Sequence, residues 1–524
     1  MTETEHDSGI RTTPSSGLVL LFATLLMAIC GLIYELLAGA LSSYLLGDSV
    51  SQFSVVIGWF LTALGVGSYL SKYILTYPLT WLIGCEIAVG FLGGCLAAVG
   101  FAAFALTNLY TPILLGMTGI IGVLVGLEIP LVIRLLRSLH ELRLTVAHVL
   151  SADYIGALVA AVAFPFLLLP HLGLTRAGMA AGMANLLIAG ALTWYFKSAL
   201  QGRHYQILTT CCALAFTALV AGFFISERLV TYFEDRLYED RVIYARNSKF
   251  QRVILTRWRE DLRLYLNGHL QFSSIDEYRY HEPLVHIPLA MAERRHSVLI
   301  LGGGDGLAAR EVAKYAEVER IQVVDLDPVI TEIFSRNTLL TRLNQNVFRD
   351  PRVEILNADA MHYLRNTNES FDVILMDLPD PSDPVLGKLY SRGFYSLAAR
   401  HLRSGGVMAT QATSPFRSRA AFWCVQRTMD SARFEGPLEG TLEVLPYHVL
   451  VPTFGEWGFV VAGRKLPALT DLTITLPARF LTQEIVPSLF LFPPDMSEIP
   501  GPISTLDDPV IVRLYRQGYH QYFE

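Results

Sequence analysis

The stretch SVLILGGGDGLAAREV, residues 297–312, carries the most informative fold signal in the chain. Its first five residues form a short apolar run typical of a buried strand, and the residues from Leu307 onward favour a helix with one apolar face. A glycine-rich loop between a strand and a helix lets a ligand approach the backbone closely, while the helix N-terminus adds hydrogen-bond donors for that ligand. Because Asp305 inside the loop would repel a pyrophosphate, we expect the loop to face a cation or a neutral group.

Further apolar runs after this stretch predict the rest of a sheet. They are IQVVDLD (321–327), RVEILNAD (352–359), FDVILMD (371–377) and VMATQ (407–411). Strands that alternate with helical segments are typical of a doubly wound α/β sheet. The first three runs end on aspartate, which gathers polar residues at the carboxyl ends of the strands, where ligands bind in such folds.

The acids at two of these strand ends predict a nucleoside pocket. An acid after the second strand commonly holds ribose hydroxyls, and Asp325 occupies that place with Asp327 as its neighbour. Asp359, after the third strand, can accept a hydrogen bond from an exocyclic adenine amine. The alternative is that these acids only cap strand ends at the surface.

A proline-stiffened loop with two acids, Asp377-Leu378-Pro379-Asp380-Pro381, follows the fourth strand. Two carboxylates held near a nucleoside pocket can gather a cationic substrate. One of them can also take a proton from an ammonium group and so expose its lone pair. Here too the alternative is structural capping alone.

A small β-region is predicted before the sheet. Strand-like VILTR (253–257) and LRLYL (262–266) lead to Asn267-Gly268, a favoured two-residue hairpin turn.

Residues 240–465 together resemble the spermidine synthase family. The matching stretches are LYLNGHLQFSSIDEYRYHE (264–282), LILGGGDGLAAREV (299–312), VVDLDP (323–328), DLPDP (377–381), LYSRGFY (389–395) and PTFGEWGF (452–459). The resemblance implies a class I methyltransferase-like Rossmann domain. The predicted domains of this half are the small β-region at 240–290, the Rossmann-like domain at 291–465 and a C-terminal extension at 466–524.

That family transfers the aminopropyl group of decarboxylated S-adenosylmethionine to an amine, typically putrescine, giving spermidine and methylthioadenosine. The resemblance implies no metal or other cofactor, and it implies a homodimer or homotetramer. The donor-binding residues it implies are Gln251, Gln271, Asp305, Asp325 and Asp359. The implied catalytic residues are Asp377 and Tyr280, and the implied acceptor-binding residues are His281, Asp380 and Gln411.

Three departures from the family pattern bear on the acceptor and the donor. Position 325 is Asp where Glu is common, which shortens the reach to the ribose. Phe454 stands where many members carry a tyrosine that contacts the acceptor, and the stretch from Pro452 to Trp457 is shorter. The acceptor is therefore expected to be putrescine or another amine.

Two rival functions are weighed against this expectation. An S-adenosylmethionine methyltransferase shares the sheet, but Asp305 would repel the carboxylate of that donor. A polyamine transporter or sensor would use the soluble domain for binding only, and the presence of Asp305, Tyr280 and Asp377 argues against a loss of catalysis.

Composition divides the 524 residues into two halves. Hydrophobic residues make up 52 %, and the excess lies almost wholly before residue 228. Residues 1–16 form a polar tail that lacks the basic start of a signal peptide. The net charge of −6 does not suggest a nucleic-acid partner, and the six cysteines show no metal or disulfide spacing.

Residues 17–228 are predicted to form a transmembrane bundle of about seven helices in a lipid bilayer, since each span needs roughly 20 apolar residues. The predicted spans are 17–46, 53–75, 80–106, 110–136, 152–170, 174–196 and 206–227. Basic residues in the second, fourth and sixth connections place the N-terminus inside the cell, so seven spans would put the catalytic domain outside. Its nucleoside substrate is made in the cytoplasm, so either the count of seven is off by one or the charge rule fails here. We expect a multi-pass protein of the cell membrane with a cytoplasmic catalytic domain.

Four acids interrupt the apolar segments: Glu35, Glu86, Glu128 and Asp153. Burying an acid in lipid costs a few kcal/mol, so such residues usually face a cavity or a partner. One explanation is helix pairing with Arg134 or Arg137, and the other is an acidic cavity in the bundle that binds a polyamine.

Overall fold

The computed structural model describes residues 14–46, 49–107, 109–137, 141–237, 240–434, 440–474 and 476–523. Residues 1–13 of the predicted polar tail lie outside this range, and the first helix already begins at Pro14. The chain divides into two compact units, Met1–Arg241 and Val242–Glu524.

Long helices make up the first unit. They are α1 (Pro14–Leu46), α2 (Ser49–Leu70), α3 (Pro78–Leu106), α4 (Tyr110–Leu136), α5 (Leu142–Ala163), α6 (Leu169–Tyr195) and α7 (Gly202–Leu237). Among the described residues, six helices are long and apolar enough to cross a membrane, judged by length and composition. The count is below seven because the predicted spans 152–170 and 174–196 join into one helical run of 54 residues, Leu142–Tyr195.

This run contains two irregularities with local causes. Pro165 has no N–H for the helical ladder, and the helix widens into a π-helical turn at Phe164–Leu168. Gly173 has φ 71° and ψ 177°, a conformation outside the helical region, and it divides the run into two segments. At about 1.5 Å per residue each of these segments is long enough to span the hydrocarbon core.

Glycines allow the helices of this unit to pack backbone against backbone. A Cβ at Gly126 of α4 would lie 2.2 Å from the carbonyl oxygen of Leu64 in α2. A Cβ at Gly182 of α6 would lie 2.5 Å from the carbonyl oxygen of Gly90 in α3. Small residues at such contacts are typical of helices that associate in an apolar environment, where close van der Waals packing replaces the hydrophobic effect.

The second unit begins with a four-stranded sheet in the order β1-β2-β3-β4, in which β2 to β4 are antiparallel. Its strands are β1 (Arg241–Asn247), β2 (Arg252–Trp258), β3 (Asp261–Leu266) and β4 (His269–Ser273). The predicted turn joins β3 to β4, with Asn267 at φ 50° and Gly268 at φ 82°, as a type I′ hairpin turn requires. The predicted β-region at 240–290 was too long, because residues 278–291 are helical.

A seven-stranded mixed sheet in the order β12-β13-β9-β8-β5-β6-β7 follows. Its strands are β5 (Ser297–Gly302), β6 (Arg320–Asp325), β7 (Val353–Asn357), β8 (Phe371–Asp377), β9 (Leu402–Gln411), β12 (Glu443–Val451) and β13 (Gly455–Gly463), and β10 (Arg433–Phe434) with β11 (Gly440–Thr441) forms a separate ribbon. Strands β5 to β9 are parallel. Strand β13 pairs antiparallel with β9, and β12 pairs antiparallel with β13 at the edge of the sheet. The strands predicted from residue 297 onward all belong to this sheet, whereas those predicted at 253–257 and 262–266 belong to the four-stranded sheet. The Rossmann-like order of the seven-stranded sheet explains why the carboxyl ends of its parallel strands meet.

The described part of the second unit also contains α-helices. They are α8 (Tyr278–Met291), α9 (Leu307–Ala313), α10 (Pro328–Arg336), α11 (Thr338–Leu343), α12 (Ala360–Asn366), α13 (Pro384–Gly387), α14 (Arg392–Arg400), α15 (Arg419–Asp430), α16 (Val486–Leu489) and α17 (Val510–Phe523). Along β5 the side chains alternate, so Val298 and Ile300 enter the core beneath α8 and α9, while Leu299 and Leu301 enter the core beneath α14 and α15. Burial on both faces explains why β5 has no polar side to its sequence.

Candidate active site

The glycine loop after β5 lies directly against the loop after β8. Gly302, at φ 83°, pairs with Asp377 in the parallel register, and a Cβ at Gly302 would lie 1.9 Å from the carbonyl oxygen of Asp377. A Cβ at Gly304 would lie 2.6 Å from Cγ of Asp325, whose Oδ2 accepts a hydrogen bond from the Gly304 N–H at 2.9 Å. Only glycine allows this approach, and it brings Asp325 and Asp377 to the two sides of the loop.

Asp305 stands at the turn between this loop and α9. Its Oδ1 accepts the Leu307 N–H at 2.9 Å, and its carbonyl oxygen accepts from Asn344 Nδ2 at 3.0 Å. Burial raises the pKa of Asp305; His281 opposes this rise and the Asp377 charge adds to it. A carboxylate that is costly to ionise in the absence of a ligand is stabilised as an anion when an ammonium group arrives.

Tyr280, His281 and Asp377 meet at the carboxyl end of β8. The Tyr280 hydroxyl donates to Asp377 Oδ1 at 2.8 Å, and His281 Nε2 lies 3.9 Å from Asp377 Oδ2. The Tyr280 ring is held between His281 and Phe459, at centroid distances of 5.0 and 5.2 Å. This contact fixes the orientation of the Asp377 carboxylate and leaves Oδ2 available to another donor.

A buried ionic network supports His281 from behind. His281 Nδ1 lies 2.9 Å from Glu277 Oε2, and Arg310 donates to both oxygens of Glu277 at 2.9 Å each. Burial alone would lower the pKa of His281, but the Glu277 hydrogen bond and the nearby carboxylates raise it to about 9. His281 is therefore an imidazolium at neutral pH, and it offsets part of the negative charge of Asp305 and Asp377.

The residues assigned to the nucleoside lie along the ends of β6 and β2. Asp325 accepts the Asp327 N–H at 2.8 Å through Oδ1, while Asp327 caps α10 by accepting the Val329 N–H at 3.0 Å. Gln251 Nε2 donates to Asp327 Oδ2 at 3.0 Å, so Gln251 reaches the same strand end as Asp325. Burial raises the pKa of Asp325 to about 6, against the lowering effect of its backbone donors.

Two assigned donor-site residues have other partners in this structure. Asp359 caps α12 by accepting the His362 N–H at 2.9 Å, and its Oδ2 accepts from Lys388 Nζ at 2.7 Å. Burial by itself would raise the pKa of Asp359, but the Lys388 ion pair and the cap hold it below the usual range. Gln271 Nε2 donates to the carbonyl oxygen of His269 at 3.1 Å, on the four-stranded sheet. An adenine contact at Asp359 would have to share or replace the Lys388 pairing.

The residues that the family resemblance assigns to the acceptor include Asp380, which has two side-chain donors. Gln411 Nε2 donates to Asp380 Oδ1 at 3.2 Å, and the Tyr515 hydroxyl donates to Asp380 Oδ2 at 3.0 Å. The hydroxyl of Tyr390 donates to the Pro379 carbonyl at 2.9 Å, which holds the loop from beneath. Burial raises the pKa of Asp380 to about 6, and the Tyr515 and Gln411 hydrogen bonds keep it from rising further.

His281, Asp305 and Asp377 also satisfy a distance test for a metal site, since their ligand atoms all lie within 4.8 Å of one another. A histidine ligand must be neutral to coordinate a metal. The His281 pKa of about 9 and its contact with Glu277 favour the protonated ring. The cluster is therefore better suited to an ammonium group, which needs acceptor oxygens.

Several residues of the site were not predicted from the sequence. Glu277 and Arg310 lie within quoted motifs, but their pairing depends on the packing of α8 on α9. Tyr515 belongs to the segment that was predicted only as a C-terminal extension, yet α17 packs on α13 and α15 and brings its hydroxyl to Asp380. Asp276 accepts the Thr453 N–H at 2.7 Å and so anchors the turn that carries Phe454.

Comparison with known proteins shows which family the chain resembles. Residues 277–471 match the model of the spermine/spermidine synthase domain. A polyamine aminopropyltransferase of Ralstonia nicotianae is 43 % identical, and the match covers 96 % of this chain and 98 % of the relative. The polyamine aminopropyltransferase of Leptospira interrogans is 41 % identical, and the match covers 96 % of this chain and 99 % of the relative. The polyamine aminopropyltransferase of Mycobacterium tuberculosis is 40 % identical over 96 % of each chain.

A solved spermidine synthase in complex with the transition state analogue AdoDATO is 27 % identical over 48 % of this chain and 86 % of its own, with a TM-score of 0.44. The relatives cover nearly the full length of the chain, so the resemblance extends over both units. The chain therefore belongs to the polyamine aminopropyltransferase family and is an aminopropyltransferase.

Proposed function

We propose that the enzyme transfers the aminopropyl group of decarboxylated S-adenosylmethionine to putrescine, giving spermidine and methylthioadenosine. The observation that carries this proposal is the convergence of Asp305, Asp377 and Tyr280 beside the Asp325 strand end. In this assignment Asp325 and Gln251 hold the nucleoside, with Asp359 and Gln271 at its edge. Asp305 holds the ammonium group of the aminopropyl arm.

The transfer itself needs a neutral amine. An alkylamine has a pKa near 10, so at neutral pH it arrives protonated and without a lone pair. Asp377, oriented by the Tyr280 hydroxyl, takes the proton through the oxygen that Tyr280 leaves available. The amine nitrogen then forms a bond to the aminopropyl carbon that is attached to the sulfonium sulfur. The bond between that carbon and sulfur breaks, and its electron pair leaves with neutral methylthioadenosine.

The charges of the pocket favour a donor without a carboxylate. Asp305 attracts the terminal ammonium group of decarboxylated S-adenosylmethionine, whereas the carboxylate of S-adenosylmethionine would lie against it. Like charges at contact distance in a poorly solvated site cost several kcal/mol. We therefore assign aminopropyl transfer rather than methyl transfer, with no metal or other cofactor in the reaction.

Putrescine is proposed as the acceptor because the pocket offers two separate acids. Asp377 would receive the attacking amine, and Asp380, ionised above its pKa of about 6, would receive the distal ammonium group. Phe454 packs on Trp457 at a centroid distance of 5.1 Å and brings no hydroxyl to this side. Another amine could therefore compete with putrescine as the acceptor, and the test compares the activity with several amines.

The test is methylthioadenosine release by the purified full-length protein. The donors are decarboxylated S-adenosylmethionine and S-adenosylmethionine, and the acceptors are putrescine, cadaverine and spermidine. We expect release only with the decarboxylated donor and the highest kcat/KM with putrescine. A protein that binds the nucleoside but releases no methylthioadenosine with any amine would support the alternative of a polyamine transporter or sensor.

We further propose that the helices of the first unit span the cell membrane several times and anchor a cytoplasmic catalytic domain, in a homodimer or homotetramer. The length and apolar character of the six helices support the anchoring. Single cysteines placed at Lys197 and Arg259 of a cysteine-free variant, labelled in intact cells and in inverted vesicles, test the orientation. Labelling of residue 259 in intact cells by an impermeant reagent would exclude a cytoplasmic catalytic domain.

A further inference from the structure

Four polar side chains meet inside the helical unit, on four different helices. They are Tyr34 on α1, Glu86 on α3, Glu128 on α4 and Asn185 on α6. Their exposed fractions are 1 %, 0 %, 5 % and 1 %, so each is withdrawn from solvent and from the outer surface of the unit. We refer to these four residues as the inner polar cluster.

The inner polar cluster has more acceptors than donors. Both oxygens of Glu86, the amide oxygen of Asn185 and the hydroxyl of Tyr34 are buried and have no hydrogen-bond partner. The Asn185 amide nitrogen is already used, since it donates to the carbonyl oxygen of Glu86 at 3.0 Å. The side chains of Glu86 and Glu128 contact each other, and a hydrogen bond between the two carboxyl groups forms only while one of them holds a proton.

The cations that the sequence offers as partners of these acids have other surroundings. Arg134, the candidate partner from the sequence, donates instead to the carbonyl oxygens of Ile74 and Ser71, the former at 2.7 Å. Arg137 is exposed beyond the end of α4. Within the residues that the structure describes, Glu86 and Glu128 form no ion pair with Lys, Arg or His. Unpaired buried carboxylates in an apolar surrounding are costly, and such residues usually mark a ligand or ion pathway.

We propose that the inner polar cluster is a binding site for an ammonium group of a polyamine, held between Glu86 and Glu128. An alkylammonium group brings a positive charge and three N–H donors, which match the unpaired oxygens of Glu86 and Asn185. Asp153 on α5 is a further acid that interacts electrostatically with Glu128, and its charge would favour a second ammonium group on the same ligand. The choice of a polyamine over another cation rests on the proposed function.

This site is separate from the catalytic one, because all of its residues belong to the helical unit Met1–Arg241. Its role would be to take up, release or sense the amine that the catalytic domain consumes or makes. Isosteric replacement of a carboxylate by an amide in the cluster should therefore change polyamine binding and leave aminopropyl transfer unchanged.

The experiment uses the full-length protein in lipid nanodiscs and radiolabelled spermidine in equilibrium dialysis, without donor nucleoside. Wild type should bind spermidine at the catalytic site and in the bundle. Glu86→Gln and Glu128→Gln should each lower the saturating amount bound by about twofold, as expected for loss of one of two sites. Glu35→Gln is the matched control, since it removes a buried carboxylate from α1 without altering the inner polar cluster.

Methylthioadenosine release measured on the same samples shows whether each variant is folded and active. The proposal is overturned if Glu86→Gln and Glu128→Gln, with normal release, bind as much spermidine as wild type. It is also overturned if stoichiometric amounts of Na⁺ or Mg²⁺, added at constant ionic strength, displace the spermidine that is bound in the bundle. The cluster would then be a metal-ion site. Absence of methylthioadenosine release with retained, Glu86-dependent binding would instead refute the proposed transferase reaction alone.

Discussion

Replacement of Asp377 by asparagine tests the proton-transfer step directly. Asparagine has the same shape and can still accept the Tyr280 hydrogen bond, which measures 2.8 Å in the wild-type structure. It cannot accept a proton from the attacking amine. General base catalysis contributes roughly 10²–10⁴-fold, so we expect kcat to fall by about 10³-fold, equivalent to about 4 kcal/mol.

The pH dependence of the variant gives a sharper test than the loss itself. With an amine pKa of about 10.4, only about one molecule in a thousand is unprotonated at pH 7.5, and this fraction rises about tenfold per pH unit. In Asp377→Asn the reaction must use that free amine. We therefore expect kcat/KM for putrescine to rise about tenfold per unit between pH 7.5 and 9.5.

The assay is methylthioadenosine release followed by chromatography, together with calorimetric titration of methylthioadenosine to measure nucleoside affinity. Asp383→Asn is the matched control, because it makes the same chemical change on the same loop and asparagine caps α13 as well as aspartate does. If Asp377→Asn keeps half of the wild-type kcat, or if its activity does not recover at high pH, Asp377 is not the proton acceptor.

Three further outcomes follow from other contacts of the site. Tyr280→Phe removes the hydrogen bond to Asp377 and should lower kcat by roughly 10–100-fold with little change in nucleoside affinity; steady-state kinetics within twofold of wild type would contradict this. Tyr515→Phe removes a hydrogen-bond donor that keeps the pKa of Asp380 from rising above about 6. The KM for putrescine should therefore increase severalfold near pH 6.5 and less at pH 8.5. An equal increase in KM at both pH values would exclude this electrostatic explanation. The pKa of His281 is about 9 in the folded protein, against about 6.5 in an unfolded chain. Protonated His281 therefore stabilises the fold fully below pH 6.5, and this contribution is lost as the pH rises through 9. Thermal melts should show His281→Asn destabilised by roughly 3 kcal/mol at pH 6 and by much less at pH 9.5.

The sequence was most informative where the physical requirement is local. The glycine loop after the first strand was predicted from residues 302–306, and in the structure Gly302, Gly303 and Gly306 have positive φ. The close approach of Gly302 and Gly304 to Asp377 and Asp325 was added by the structure. The Asn267-Gly268 turn is local in the same sense, because both residues must adopt positive φ. Aspartates after consecutive parallel strands were expected to meet at one edge, and this follows from strand direction alone.

Helix continuity was less accessible from hydropathy. The apolar pattern predicts two separate spans, 152–170 and 174–196. In the structure the helical hydrogen bonding continues through a π-helical turn, and only Gly173 leaves the helical region. Composition indicates where apolar segments lie, but neighbouring helices decide whether an interruption becomes a loop or a kink.

The α/β sheet, the glycine loop and the acids that follow its strands could be predicted from the sequence, because each depends on residues close together in the chain. The contacts between side chains could not be predicted in this way. Tyr280 reaches Asp377 across 97 positions and Tyr515 reaches Asp380 across 135, and the pairing of Arg310 with Glu277 orients His281. The four residues of the inner polar cluster come together only through the packing of four helices, since contacts between distant segments depend on how whole elements pack and leave no periodic signal in the sequence.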